Sequence, residues 1–241
     1  MIYKKFLTII PARIGSKGLK KKNVKKFCGK KLIEWSFKAA KKCRHLDHIV
    51  ASTDSKEIIK LSKKYKISAP FLRPKKISRD KTSMFEVIKH CVDFYKKKNF
   101  FFKNIVLLEP TSPIRNPGDL NKALKLFLNK KKMDSLVSVG RVNEHPYIIL
   151  SIRGKYVVKP YFVNKKKYIR RQDLPKYYFP YGVVYISKTK EYLKNKSFIS
   201  KSTGYFEIKN YQNIEIDNIY DFHKAEKIFK LKKLDVKLGN F

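Results

Sequence analysis

Six short apolar runs punctuate the chain, at residues 6–10, 48–52, 105–109, 135–139, 182–186 and 214–217. Each is continuous or nearly so, the pattern of strands covered on both faces. Between the runs, apolar positions recur at helical spacing, as in Leu32, Trp35 and Ala39 or Leu120, Leu124 and Phe127. Strands alternating with helices predict an α/β fold with a doubly wound, mostly parallel sheet. Helix starts are marked by side chains that satisfy free N–H groups. Asp54-Ser55-Lys56-Glu57 and Ser83-Met84-Phe85-Glu86 both fit a capping box. Asn116-Pro117-Gly118-Asp119 offers an N-cap, a proline at the first helical position and an acid in the first turn.

Residues 141–181 break this rhythm. The stretch YIILSIRGKYVVKPYFV reads as two strands joined at Arg153-Gly154, and KKKYIRRQDLPKYYFPYG is aromatic, basic and proline-punctuated without helical period. This predicts a β-rich arm inserted into a single domain spanning 1–241 and returning to the sheet at Tyr181.

Composition narrows the classes. Hydrophobic residues make up 43% of 241, enough for a packed core despite a net charge of +39. That charge points to an anionic partner: nucleic acid, a membrane surface or anionic small molecules. The cations are mostly lysines in scattered clusters such as 20–22, 63–64, 96–98, 130–132 and 165–167, the pattern of solvated faces. A nucleic-acid surface favours arginine in a localised stripe, so nucleic acid is a weak candidate. Cys28, Cys43 and Cys91 have no metal-ligand spacing and are odd in number, as expected of thiols in a reducing compartment. The apolar run near the N-terminus is cut by Pro11 and Arg13, too early for a signal peptide, and no run approaches the roughly 18 residues of a membrane span. The expectation is a cytoplasmic enzyme or binding protein with no membrane segment.

The first candidate for chemistry is TIIPARIGSKGLKKKN, from Thr8 to Asn23. A first strand ending in Pro-Ala-Arg meets a turn at Gly15 and Gly18, which permit positive φ and close backbone approach. Arg13 and Lys17 add fixed charge, and Lys20, Lys21, Lys22 and Asn23 follow. At the carboxyl edge of an α/β sheet such a loop suits a polyphosphate. It lacks both the G-x-G-x-x-G of dinucleotide folds and the full G-x-x-x-x-G-K-[ST] of P-loops, and an ordinary basic turn would read similarly.

The segment IIPARIGSKGLKKKN closely resembles the N-terminal signature of the acylneuraminate cytidylyltransferases, the CMP-sialic acid synthetases. The resemblance continues in order through ASTDSKEI, FLRPKKISRDKTSMFEVI, VLLEPTSPIRNPGDL, DSLVSVGRVNEHPY, RRQDLPKYYFPYGVVYI and IEIDNIYDFHKAE. It implies a Rossmann-like nucleotidyltransferase that joins CMP from CTP to a nonulosonic acid. Such an enzyme uses Mg²⁺ or Mn²⁺, releases pyrophosphate and works as a homodimer through the arm.

Residue by residue, the resemblance assigns the nucleotide to Ala12, Arg13, Gly15, Ser16, Lys17, Gly18, Lys22, Asn23, Arg73, Asp80 and Ser83. Arg13, Lys17 and Lys22 take the triphosphate and Arg73 takes the base. Ser83 also fits a helix cap, and Asp54 has a capping explanation of its own. The sugar falls to Glu109, Thr111, Ser112, Arg141, Arg170, Arg171 and Tyr181, with catalysis placed on Arg13, Lys22 and Glu109. Relatives commonly have Gln where Glu109 stands; a carboxylate there can accept a hydroxyl proton. Arg170 or Arg171 would meet the sugar carboxylate from the arm of a second subunit. Relatives have Asn-Gly where this chain has Tyr181-Gly182, which weakens the assignment of the sugar. Glu215 and Asp217 alternate along an expected strand, so both point to one face and suit an oxygen-seeking cation; the family has Asp at both places. Asp221 is expected to start the last helix, and His145 to be structural. Four alternatives accompany this reading. They are legionaminate- or pseudaminate-type sugars, an eight-carbon Kdo-type acid, a basic nucleic-acid-binding protein, and a degenerate family member that binds without turnover, to which Glu215 and Tyr181 point.

Overall fold

The computed structural model describes residues 1–130, 132–153, 157–161 and 170–237. In chain order the strands and helices are β1 (Ile2–Ala12), β2 (Lys26–Phe27), β3 (Lys30–Lys31), α1 (Leu32–Lys42), β4 (His48–Thr53), α2 (Lys56–Lys64), α3 (Met84–Lys96), β5 (Phe100–Leu107), α4 (Asp119–Asn129), β6 (Ser135–Arg141), β7 (Leu150–Arg153), β8 (Val157–Pro160), β9 (Tyr178–Lys188), α5 (Thr189–Asn195), β10 (Thr203–Glu207) and α6 (Ile219–Lys237).

The main sheet runs β10-β6-β9-β5-β1-β4. β1 pairs in parallel with β4 and β5, and β10 in parallel with β6, while β9 is antiparallel to both of its neighbours. The sheet is therefore mixed and mostly parallel. Both faces of β1 are covered, which explains its unbroken apolar run. Phe6, Ile10 and Ala12 pack with residues of α1, α2 and α4. Leu7 and Ile9 pack with Ile88, Cys91 and Tyr95 of α3 and Tyr192 of α5 on the other side. From β1 the chain goes first to β4 on one side and then to β5 on the other. The loop after β1 thus leaves at the topological switch point, where open α/β sheets bind ligands.

Two readings of the sequence need correction here. Residues 214–217 are not a strand of the sheet. They run extended over its carboxyl edge with Ile214 and Ile216 buried, and Ile216 N donates to Thr111 O at 2.8 Å. Side chains anchor the run from upstream: Gln212 Nε2 donates to Asp119 Oδ2 (2.8 Å) and to Ile114 O (3.1 Å). The edge position belongs to β10, whose TGYFE sequence is short, contains glycine and leaves Tyr205 63% exposed, so its apolar signal is weak. Second, the chain rejoins the sheet at Tyr178, not Tyr181, with Tyr178 opposite Arg141. The β6–β9 register then slips between Val137 and Val139, and residues 181–184 bow outward. Ser138 Oγ fills the break, accepting from Val184 N (2.9 Å) and reaching Tyr181 O (2.5 Å).

The arm's two expected strands are β7 and β8, an antiparallel hairpin that forms a separate two-stranded sheet. Their link at Gly154 and the residues 162–169 lie outside the described part. No helix among the described residues is long and apolar enough to cross a membrane.

Candidate active site

The loop after β1 is held from behind rather than by its own turn chemistry. Asn23 Nδ2 donates to Arg13 O (2.9 Å), and Asp54 Oδ1 accepts from Ile14 N (2.8 Å). Asp54 is therefore a support for the loop, and the cap of α2 is Ser55, which accepts from Ile58 N. Neither Gly15 nor Gly18 adopts positive φ; Lys21 does, at 53°. What Gly18 supplies is close approach: a Cβ there would run into the carbonyl of Asp217. Lys22 completes the join, its side chain 11% exposed, with Nζ donating to Ile216 O (2.5 Å) and Asp217 Oδ1 (3.0 Å). The glycine loop and the 214–217 segment thus form one structure at the switch point.

A cleft of about 230 Å³ opens between this loop, the 73–87 segment and the end of β5. Ala12, Arg13, Gly15, Ser16, Lys22, Asn23, Arg73, Asp80, Glu109 and Thr111 all line it, so one face of the molecule gathers most of the residues assigned to the nucleotide. Arg73 is 4% exposed and donates through Nε to Ser78 Oγ (3.1 Å); burial lowers its pKa. A guanidinium held in an enclosed wall is a directional donor suited to a planar polar edge. Asp80, also on the cleft wall, bridges Arg13 and Lys17 through its carboxylate (3.3 Å to Lys17 Nζ), and the Arg13 guanidinium holds its carboxyl below the usual range. Ser83 is not among the residues lining the cleft. It caps α3, accepting from Glu86 N at 3.3 Å while Glu86 accepts from Ser83 N at 2.9 Å. Arg79, unmarked in the sequence reading, lines the cleft beside Asp80; its only signal was membership of the RPKKISRDKTS run.

At the far end, Glu109 lies under the bow of β9. Glu109 N donates to Gly182 O (3.1 Å), and Gly182 N donates to Glu215 Oε1 (3.1 Å). A Cβ on Gly182 would sit 2.6 Å from Glu109 Cβ and closer still to its Oε2, so the glycine makes room for the acid. Burial, reinforced by Glu215, pushes the Glu109 carboxyl up to about 7. Burial likewise raises Glu215, with Asp217 adding to it and Gly182 N opposing. Tyr181 stands near Glu215 and Glu144, and Tyr185 near Glu109 and Glu215.

Glu215 and Asp217 lie near one another on the extended run, but their side chains are held differently. Glu215 is turned inward to Gly182, whereas the Asp217 side chain is 75% exposed and tied to Lys22. Their donors are all oxygen, and the repulsion that adds to burial in raising Glu109 (from Glu215) and Glu215 (from Asp217) is what a divalent cation relieves, so the residues fit a hard cation that keeps several water or phosphate ligands. Among the described residues there is no group of three or more His, Cys, Asp or Glu disposed to hold a metal by themselves. Asp221 starts α6 as expected, accepting from Asp217 N and Asn218 N.

The remaining sugar-side candidates do not meet in the cleft. Ser112 is buried beside Glu215. Arg141 lines a separate pocket with His145 and Tyr177. Arg170 is exposed on the arm, and the side chain of Arg171 lies outside the described part. His145 is structural, bridging Pro175 O (2.9 Å) and Tyr147 N (3.1 Å).

The profile of the cytidylyltransferase family matches residues 7–237. The chain belongs to the cytidylyltransferase family. It is 31% identical over 232 residues to the CMP-N,N'-diacetyllegionaminic acid synthase of Legionella pneumophila, covering 95% of this chain and 98% of the relative. It is 31% identical over 222 residues to the N-acylneuraminate cytidylyltransferase of Escherichia coli, where 92% of this chain spans about half (51%) of the relative's length. The pseudaminic acid cytidylyltransferase of Campylobacter jejuni is 27% identical over 238 residues, with coverage of 94% and 97%. The fold is that of a CMP:2-keto-3-deoxy-manno-octonic acid synthetase solved with CTP (TM-score 0.67, 16% identity, 95% and 100% covered). It is also that of a 4-diphosphocytidyl-2C-methyl-D-erythritol synthase from Anaerococcus prevotii (TM-score 0.62, 14% identity, 94% and 99% covered). Membership of the family makes the chain a nucleotidyltransferase.

Proposed function

We propose that this enzyme transfers CMP from CTP to the anomeric hydroxyl of a nonulosonic acid and releases pyrophosphate. The observation that carries the reading is the single cleft at the switch point, cationic at one end and carboxylate-lined at the other. Arg13 and Lys17 receive the triphosphate, exchanging Asp80 for phosphate oxygens. Arg73 meets the cytosine edge. Glu109 accepts the proton of the anomeric hydroxyl as its oxygen bonds to the α-phosphorus and the α–β bridging P–O bond breaks toward pyrophosphate. A carboxyl titrating near 7 is well matched to that task. Asp217, with Glu215, would hold Mg²⁺ or Mn²⁺, which when bound neutralises charge gathering on the departing phosphates. Lys22 keeps Asp217 at the mouth of the glycine loop. The sugar carboxylate is left to Arg170 or Arg171 on the arm of a second copy, which makes the working unit a homodimer, in the cytoplasm where CTP is made.

The test is pyrophosphate release from CTP and Mg²⁺ with N-acetylneuraminate, legionaminate, pseudaminate and an eight-carbon Kdo-type acid in turn. Release with one of the nine-carbon acids is expected, and release with none overturns the reading. Arg13→Ala should lower kcat/KM by about 100-fold or more, as for loss of a charge-stabilising donor.

A further inference from the structure

Arg115 lies just beyond the PTSP turn, behind the carboxylate end of the cleft, and is half-buried. Four of the five N–H groups of its guanidinium donate to protein acceptors. Nε donates to Val183 O (2.8 Å), Nη2 to Glu109 O (2.8 Å) and Gly182 O (3.0 Å), and Nη1 to Ser36 Oγ of α1 (3.1 Å). One planar group therefore ties the end of β5 to the bow of β9 and to a helix of the opposite layer. A lysine ammonium could not span these acceptors, which lie around the rim of a fork.

The residues gripped from behind are those that orient the carboxylates in front. Glu109 N is bonded to Gly182 O, Gly182 N to Glu215 Oε1, and the Glu109 side chain occupies the space that Gly182 leaves empty. Where the 181–183 backbone lies decides where both carboxylates point. The β6–β9 ladder holds only the ends of this bow, through Ser138 Oγ on Tyr181 O and Val184 N, because its register is broken there and leaves the 182–183 carbonyls to Arg115. The nucleotide end is independent of Arg115: Arg13, Lys17 and Arg73 are held by Asn23, Asp54, Asp80 and Ser78.

We propose that Arg115 is the positioning residue of the acceptor side: it sets Glu109 and Glu215 by clamping Glu109 O, Gly182 O and Val183 O. The proposal rests on Glu109 taking the sugar's proton, and the experiment separates the two. Arg115→Lys, Glu109→Gln, the double variant and Gly182→Ala are compared for pyrophosphate release and for the rise in Tm on adding CTP.

Arg115→Lys is expected to lower kcat about 100-fold, the scale of a misplacement near 1 Å, with KM for CTP within about twofold and the CTP-dependent Tm rise retained. Gly182→Ala, which moves the same backbone and leaves the arginine intact, should show the same split. The double variant should be slower than Glu109→Gln only by the part carried through Glu215, well short of the product of the two single effects. Wild-type kcat in Arg115→Lys overturns the inference and leaves Glu109 to be judged by Glu109→Gln. Parallel loss of kcat and CTP binding in both Arg115→Lys and Gly182→Ala overturns it too, since that is general destabilisation. So does a double variant slower in proportion to both single changes. Full activity in Glu109→Gln overturns the reading of Glu109, and with it any positioning through that residue.

Discussion

Asp80 bridges the two cations, Arg13 and Lys17, that the proposed mechanism gives to the triphosphate. One carboxylate shared between Arg13 and Lys17 keeps the loop from self-repulsion and must yield to a ligand of higher charge. Asp80→Asn removes this internal competitor. Inorganic pyrophosphate should then inhibit severalfold more strongly at low ionic strength, and the difference should shrink in high salt because the pair is partly exposed; product-inhibition constants measure it. Glu109 makes a second prediction at this scale. Its folded-state pKa of about 7 lies above the ordinary 4.5, so the folded protein binds the proton more tightly than the unfolded chain. The resulting stability is fully present below pH 4.5 and is lost as pH rises through 7. In chelator and without CTP, urea unfolding should show wild type losing on the order of 2–3 kcal/mol across that window relative to Glu109→Gln. Activity runs the other way: a base must be ionised, so kcat should climb toward pH 7, and Glu109→Gln should abolish that limb.

Among the elements, the β1 loop shows how much of a site is written locally. Its cations, its glycines and its place after the first strand were all legible locally, although an ordinary basic turn would read similarly and the family motif was needed to choose. The purpose of Gly18 was not, since it comes from the Asp217 carbonyl, about 200 positions downstream. Gly18→Ala should push the 214–217 segment off the loop. The Mg²⁺ concentration for half-maximal rate is expected to rise severalfold, with a smaller fall in rate at saturating metal; a metal titration of pyrophosphate release checks this. The same logic explains the misread strand. Residues 214–217 alternate buried and exposed as a strand would, but Gln212 and the Thr111 carbonyl hold them, and alternation alone cannot say what an extended segment pairs with. Ser83 and Asp54 exchange lessons: the capping box at Ser83 is complete in four residues, whereas Asp54 serves a backbone N–H forty residues away.

Across the whole molecule, the layered fold opens its cleft at one edge of a protein with a net charge of +39. Apolar side chains on the arm remain uncovered, with Ile148 57%, Leu150 54%, Ile152 79% and Tyr161 66% exposed. Such a patch beside an otherwise ordinary surface marks a contact face. The chain is expected to sediment as a dimer. Removing the 150–160 hairpin should give a monomer that still binds CTP but does not turn over, as measured by analytical ultracentrifugation and thermal shift.

By itself the sequence determined the alternation of strand and helix, the glycine-and-cation loop after the first strand and the family, because these depend on neighbours along the chain or on short motifs. Tertiary structure alone decided that β9 enters antiparallel with a bow, that β10 takes the edge, and that Arg115, Gly182, Glu109 and Glu215 form one knot. Those relations join backbone carbonyls, which carry no sequence signal, across separations that only packing closes.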